Sequence, residues 1–395
     1  MSSTLQEIAQ QLRAANKKVQ LIYAFNGTGK TRLSRQFKEL VAGEINAGDE
    51  NPEASGLAQK NVLYYNAFTE DLFFWDNDLN DDEDRKLKIH PNAFTTWVLE
   101  EQGQGPNVID YFKKLTNSNI EPQFNADFSE IHFTIRGDTN HARIKISKGE
   151  ESNLIWCMFY SLLEMIVEEL SSPVEERSTT DFNQLKYVFI DDPVSSLDDN
   201  HLIALAVDIA KLVKSSSADL QFIITTHSPL FYNILSNEFN NKLARDPSAE
   251  VIEWLYRPGE SKKYRFHKNA DGTFKLTVLN QKTPFSYHLH LLSEIRLAIV
   301  NNQLKRYHFG FLRNILEKTA TFLGYDHWEA LLPRANDGNP DPFFNRILNL
   351  SSHSAHAADE VGEVEEHDKS KLEELVRFLN SKYGFNNEPR EEPND

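Results

Sequence analysis

Eight consecutive residues, Ala24-Phe25-Asn26-Gly27-Thr28-Gly29-Lys30-Thr31, hold the types that a bound triphosphate requires. Gly27 and Gly29 let backbone N–H groups turn toward phosphate oxygens, and Lys30 supplies a point charge for the β and γ groups. Thr31 offers its hydroxyl to Mg²⁺. The first glycine of the usual G-x-x-x-x-G-K-[ST] spacing is Ala24, whose methyl costs little if φ stays negative. Asn26 through Thr31 are therefore candidate nucleotide ligands. Farther along, an apolar run ends in Asp191-Asp192-Pro193, which places an acid where a magnesium ion would sit and a second acid beside it. Asp191 is the expected metal carboxylate and Asp192 the expected general base for an attacking water. His227, in Thr225-Thr226-His227-Ser228, ends the next apolar run, within reach of a γ-phosphate.

A second set of residues points to different chemistry. Arg313 and Glu317 stand one helical turn apart, and Ser351-Ser352-His353-Ser354-Ala355-His356 presents two histidines among small residues. A spacing of i, i+4 by itself is most often a surface ion pair. Together, though, these are the groups that a metal-free ribonuclease uses. A base takes the proton from the ribose 2′-OH, an acid protonates the departing 5′-oxygen, and a cation stabilises the charged phosphorane. Glu317 and a histidine would share the acid and base roles, with Arg313 as the electrostatic clamp.

The elements that must position these groups alternate between types. Val19–Ala24, Val62–Tyr65, Ile131–Ile135, Tyr187–Ile190 and Phe222–Thr225 read as strands; Thr31–Leu40, Trp156–Leu170 and Tyr307–Phe322 read as helices. That alternation predicts an α/β core. The chain has 395 residues and a net charge of −17, which argues against a general nucleic-acid-coating protein. Twelve basic residues against four acids between Tyr256 and Ala320 form a local island of +8, interleaved with aromatic rings such as Tyr264, Phe266, Phe274, Tyr287 and Tyr307. Cations with flat rings suit an unpaired RNA loop, and a basic surface over an aromatic core is an equal reading. Acidic stretches at 76–84 and 359–368 read as solvated loop or tail. A single cysteine, Cys157, excludes an internal disulfide framework. No signal-like or membrane-length apolar run is present, so the expectation is a cytoplasmic protein without a membrane partner.

The order of phosphate loop, Ser147-Lys148-Gly149-Glu150 before a long helix, acidic pair, Ser195-Ser196-Leu197-Asp198 and histidine resembles ABC ATPases. Ser147 and Gly149 match that family's signature, whereas Lys148 and Glu150 depart from it. The resemblance implies that Ser147, Gly149 and Glu150 of one subunit close on the nucleotide of another, in head-to-tail dimers or larger homo-oligomers. It leaves the Gln-loop residue open, with Asn66 a weak match. Asp192 replaces the usual Glu, which suggests slow hydrolysis. Over nearly its whole length the chain resembles the PrrC-type bacterial anticodon nucleases, through the segment from Lys186 to His201, Arg313-x-x-x-Glu317 and Ser352-His353-Ser354. The implied architecture is an ABC-type P-loop NTPase domain over residues 1–255, followed by a mainly helical nuclease domain over 256–395. The implied activity is cleavage of tRNA-Lys beside the wobble base, giving 2′,3′-cyclic phosphate and 5′-OH ends. Arg313, Glu317 and His353 would be catalytic, and Lys275, Phe285, Ser286, Tyr287, His288 and His290 would recognise the anticodon stem-loop. ATP or GTP, dTTP by resemblance alone, and Mg²⁺ would serve the NTPase, with no cofactor for RNA cleavage. A type I restriction-modification complex would hold the latent state. The rival expectations are a DNA-sensing or restriction-associated ATPase without nuclease activity and, less well matched, a transporter ATPase subunit.

Overall fold

The computed structural model describes residues 3–42, 61–66, 73–76, 85–90, 93–116, 119–137, 143–193, 199–216, 219–249, 251–269, 271–279, 286–334, 338–342, 344 and 364–385. The chain divides into two compact units, Met1–Pro284 and Phe285–Asp395.

The first unit starts with helix α1 (Leu5–Ala14), which Thr4 and Glu7 close with a reciprocal capping box. It then enters strand β1 (Val19–Tyr23), all five residues of which are buried. Helix α2 (Lys30–Ala42) follows the glycine-containing turn. The principal sheet is completed by β2 (Val62–Asn66), β7 (Tyr187–Asp191), β8 (Gln221–Thr226), β11 (Ser261–Lys268) and β12 (Phe274–Val278), in the order β12-β11-β1-β8-β7-β2. All neighbours run parallel except the β11–β12 hairpin at one edge. Strands covered on both faces read as unbroken apolar runs, as Tyr187-Val-Phe-Ile190 and Phe222-Ile-Ile224 do. Leu33, Phe37 and Val41 of α2 pack against Ile22, Phe189, Tyr264, Phe266 and Phe274.

A second, antiparallel sheet joins β3 (Phe73–Asp76), β4 (Lys86–Ile89), β6 (Glu130–Ile135) and β5 (Ile120–Phe124), in that order. Between β4 and β5 lie the short helix α3 (Ala93–Thr96), a π-helical turn (Trp97–Glu101) and α4 (Gly105–Thr116). Helix α5 (Lys148–Ser171) is apolar almost all round and correspondingly buried, packing through Leu162 and Ile166 on Trp97 and Phe182. Helices α6 (Asp199–Ser215) and α7 (Pro229–Glu238) precede and follow β8, and a small β9 (Leu243–Ala244) and β10 (Trp254–Tyr256) pair leads into β11.

The second unit is helical among its described residues: α8 (Tyr287–Val300), α9 (Arg306–Leu323), a 3-10 turn (Trp328–Leu331) and α10 (Glu366–Tyr383). Ile295, Leu312, Leu316, Leu331, Leu375 and Leu379 meet in its core.

The expected boundary at 255/256 is displaced to 284/285. The change in charge near Tyr256 marks a surface property, whereas β11 and β12 are needed to cover the side of β1 away from β8. An open edge on a buried parallel strand would leave a row of unpaired backbone groups. The basic island is accordingly shared between the two units. Several of its rings, Tyr264, Phe266, Phe274 and Phe309, are buried and belong to the cores.

Candidate active sites

Three strand ends build the first site. Ala24 takes over where β1 stops, and its N–H donates to the Thr226 carbonyl at 2.9 Å, fixing the phosphate loop to the end of β8. Gly27 and Gly29 adopt φ of +78° and +106°, which require glycine, while Ala24 is not among the residues with positive φ. The missing first glycine is thus accommodated as the sequence predicts. Lys30 is buried beneath the loop, where its ammonium donates to Asn26 Oδ1 at 3.0 Å and pairs with Asp192 at 3.2 Å.

The neighbouring acids differ in environment. Asp191, at the end of β7, accepts from Thr31 Oγ1 at 2.7 Å and from Thr225 Oγ1 at 2.6 Å. Burial raises its pKa above the ordinary carboxylate range, the two hydroxyl donors oppose that shift, and the adjacent Asp192 charge adds to it. Asp192 has a left-handed φ of +53°, uncommon for a non-glycine residue. Burial acts to raise its pKa too, but His227 and Lys30 prevail and hold the carboxyl below its usual range. His227 Nδ1 lies 2.7 and 2.8 Å from the two Asp192 oxygens, and the His227 N–H reaches Oδ1 at 3.3 Å. With its proton on Nδ1, the ring donates to the carboxylate and keeps Nε2 as an acceptor.

Thr31, Asp191, Asp192, Lys30 and His227 therefore form one cluster. Its donor set, a hydroxyl and a carboxylate already within hydrogen-bonding distance, fits a hard divalent cation bound with a triphosphate. Sequence reasoning missed the support beneath it. Ser34 Oγ donates to the Thr31 carbonyl at 2.8 Å and is hydrogen-bonded with the Tyr64 hydroxyl at 2.9 Å. The Tyr64 hydroxyl is pushed up to about 12 by burial, with Ser34 opposing and Asp191 reinforcing the shift. No local pattern marks Tyr64, because only strand pairing brings β2 beside β7. The same pairing places Asn66 level with Asp191.

The signature residues open α5. Ser147 caps α5, its hydroxyl accepting from Glu150 N–H at 3.2 Å while the Glu150 carboxylate accepts from Ser147 N–H at 2.7 Å. Ser147 is exposed, and Gly149 follows in the first turn. Glu151 is buried, holding Lys148 at 3.0 Å and Trp75 Nε1 at 3.2 Å.

In the second unit, Arg313 Nε donates to Glu317 Oε1 at 2.8 Å across one turn of α9, with the guanidinium carbon 5.5 Å from the Trp328 ring centroid. The Arg313 side chain is 23% exposed and Glu317 48%, so this pair faces solvent on a packed helix. His353 lies outside the described residues, as do His356, Phe285 and the acidic stretch at 359–368. Of the recognition candidates, Lys275 is exposed on β12 in the first unit, whereas Ser286 caps α8 and Tyr287, His288 and His290 lie within that helix. His290 is buried, and burial lowers the pKa of the half-buried His288, with Asn314 of α9 opposing the shift.

Comparison with known proteins places these features in context. The AAA domain family matches residues 106–381. An Escherichia coli protein described as an anticodon nuclease is 48% identical over 98% of this chain and 98% of its own length. Among solved structures, an SMC head bound to the C-terminal winged-helix domain of ScpA shares 12% identity over 68% of this chain and 91% of that one, with a TM-score of 0.32. The SMC head domain from Thermotoga maritima shares 14% over 67% and 91%, with a TM-score of 0.29. No helix among the described residues is long and apolar enough to cross a membrane.

Proposed function

This chain belongs to the anticodon nuclease family and carries an AAA-type domain, and from that premise we propose a nucleotide-regulated endoribonuclease that cuts tRNA-Lys beside the wobble base. The geometry that supports RNA cutting most directly is the Arg313–Glu317 pair, a cation and a carboxylate held side by side on a partly exposed helix face. Arg313 would hold the scissile phosphate as its charge grows. Glu317 and His353 would divide the proton transfers. One takes the 2′-OH proton as the 2′-oxygen bonds to phosphorus, and the other returns a proton as the bond from phosphorus to the 5′-oxygen breaks. The products balance as a 2′,3′-cyclic phosphate and a 5′-hydroxyl.

In the first unit, Asn26 through Thr31 would cradle ATP or GTP, with dTTP a further candidate. Thr31 and Asp191 would hold Mg²⁺, which would neutralise phosphate charge. Asp192, kept ionised by Lys30 and His227, would accept a proton from the attacking water, and His227 would read the γ-phosphate. The exposed Ser147 would complete the site of a second copy in a head-to-tail dimer. Release from a type I restriction-modification complex would unmask the nuclease.

Incubating tRNA with wild-type and His353→Ala protein, and determining the terminal chemistry of the fragments, tests this reading. Cleavage by wild type alone, with cyclic-phosphate ends, is expected. Equal cleavage by both removes His353 from the reaction. DNA-stimulated hydrolysis without tRNA products would replace the reading with a DNA-sensing ATPase. Chelating divalent metal should stop nucleotide hydrolysis and spare an RNA-cutting step already switched on.

A further inference from the structure

We propose that the β11–β12 hairpin walls the ribose and base of the bound nucleotide, which makes it the element that sets nucleotide preference. This rests on the phosphate-loop reading and adds to it a subsite that the phosphate motifs do not define. Three observations support it. The groups that mark the γ-phosphate end, Asp191, Asp192 and His227, all lie on the β8–β7 side of β1. A triphosphate seated on Lys30 with its γ end toward them must run its α-phosphate and nucleoside toward the opposite side, where β11 and β12 lie. Second, β11 outruns its neighbour. Arg265 is level with Tyr23, the last residue of β1, yet the strand continues to Lys268. Three further residues project the hairpin ~10 Å past the strand end, alongside the phosphate loop. Third, the hairpin lies beside that loop, because a methyl placed on Gly29 would come within 3.6 Å of Phe274 Cε1.

The hairpin is also a rigid wall. Phe274 stacks on Phe266, with centroids 5.5 Å apart and planes 12° from parallel. Its backbone exchanges two 2.8 Å hydrogen bonds with Ser3. The turn is closed by Asn269 Nδ2 donating to Thr273 Oγ1 at 2.8 Å and by Asp271 accepting from Thr273 N–H at 2.9 Å. Lys268, level with Phe274 in the pairing, is exposed at the tip, and half-buried His267 precedes it. Lys268 shares the strand face of Phe266 and Phe274 and supplies a cation for a ribose hydroxyl, whereas His267 lies on the opposite face beside Lys275.

Full-length wild type, His267→Ala and Lys268→Ala are compared for binding of ATP, GTP and inorganic tripolyphosphate by calorimetry, with Lys30→Ala as control. If the hairpin reads the nucleoside, at least one tip variant weakens ATP or GTP by about tenfold, changes their ratio, and leaves tripolyphosphate within twofold. Unchanged nucleotide affinity in both variants, or equal weakening of nucleotide and tripolyphosphate, overturns the inference. Lys30→Ala should weaken all three ligands. If it weakens none, the phosphate-loop reading fails, and that result is distinct from a failure confined to the hairpin.

Discussion

Replacing Arg313 separates a catalytic cation from a structural one, because the two roles differ greatly in magnitude. The visible interactions of Arg313 include a one-turn ion pair with Glu317 and a face contact with Trp328. An exposed pair at this spacing contributes ~0.3–0.5 kcal/mol, and a partly solvated cation over a ring ~0.5–1 kcal/mol. Arg313→Ala should therefore destabilise the second unit by about 1 kcal/mol, well short of the ~5–15 kcal/mol that holds a domain folded. If Arg313 instead stabilises the phosphorane, its loss should slow cleavage ~100- to 1,000-fold, as removal of an electrostatic donor does in other enzymes. Arg313→Lys should fall between, keeping the charge but losing the planar fork. Single-turnover cleavage of end-labelled tRNA, with thermal melting of the same preparations, reads both quantities. An Arg313→Ala protein that melts slightly lower and cleaves within threefold of wild type would refute the catalytic assignment.

Asp191 should make nucleotide hydrolysis unusually sensitive to acid. Its raised pKa means that it takes up a proton at a higher pH than an ordinary carboxylate, so metal-dependent hydrolysis should fall as pH drops through that elevated value. Thr225→Val removes a donor to the carboxylate and should move this limb further up in pH; superimposable pH–rate profiles would contradict the account. Lys263, buried on β11, donates to the Ser236 carbonyl at 2.9 Å and to Asn240 Oδ1 at 2.8 Å, and burial lowers its pKa to about 8. The unfolded chain holds this proton up to lysine's ordinary range. The cost of burying the charge is therefore fully present below about pH 8 and relieved as pH rises toward 10.5. Wild type should gain stability relative to Lys263→Met across that interval in denaturant melts, and parallel curves would count against it. Cys157 lies inside α5, with burial pushing its thiol well above the usual range, so a thiol reagent should label it only on unfolding. Rapid labelling of native protein would show that α5 opens locally.

Residue order alone identified the phosphate loop, the two acids, the strand-end histidine, the alternation of strands and helices, and the Arg313–Glu317 spacing. Each is a local signal. A glycine-rich turn needs only neighbouring φ angles, a buried parallel strand is a run of apolar residues, and a one-turn ion pair follows from helical pitch. Tertiary structure decided whatever depends on pairing between distant segments. Strand order brought Thr225 and Tyr64 to Asp191, gave Asp191 and Asp192 opposite pKa shifts, and assigned β11 and β12 to the first unit. Composition could not make that last assignment, because Lys262, Arg265 and Lys275 report surface charge while Tyr264, Phe266 and Phe274 report burial on the same two strands. Only when those strands close the side of β1 does the basic island divide between the two units, because a buried central strand must have the backbone groups of both its edges paired.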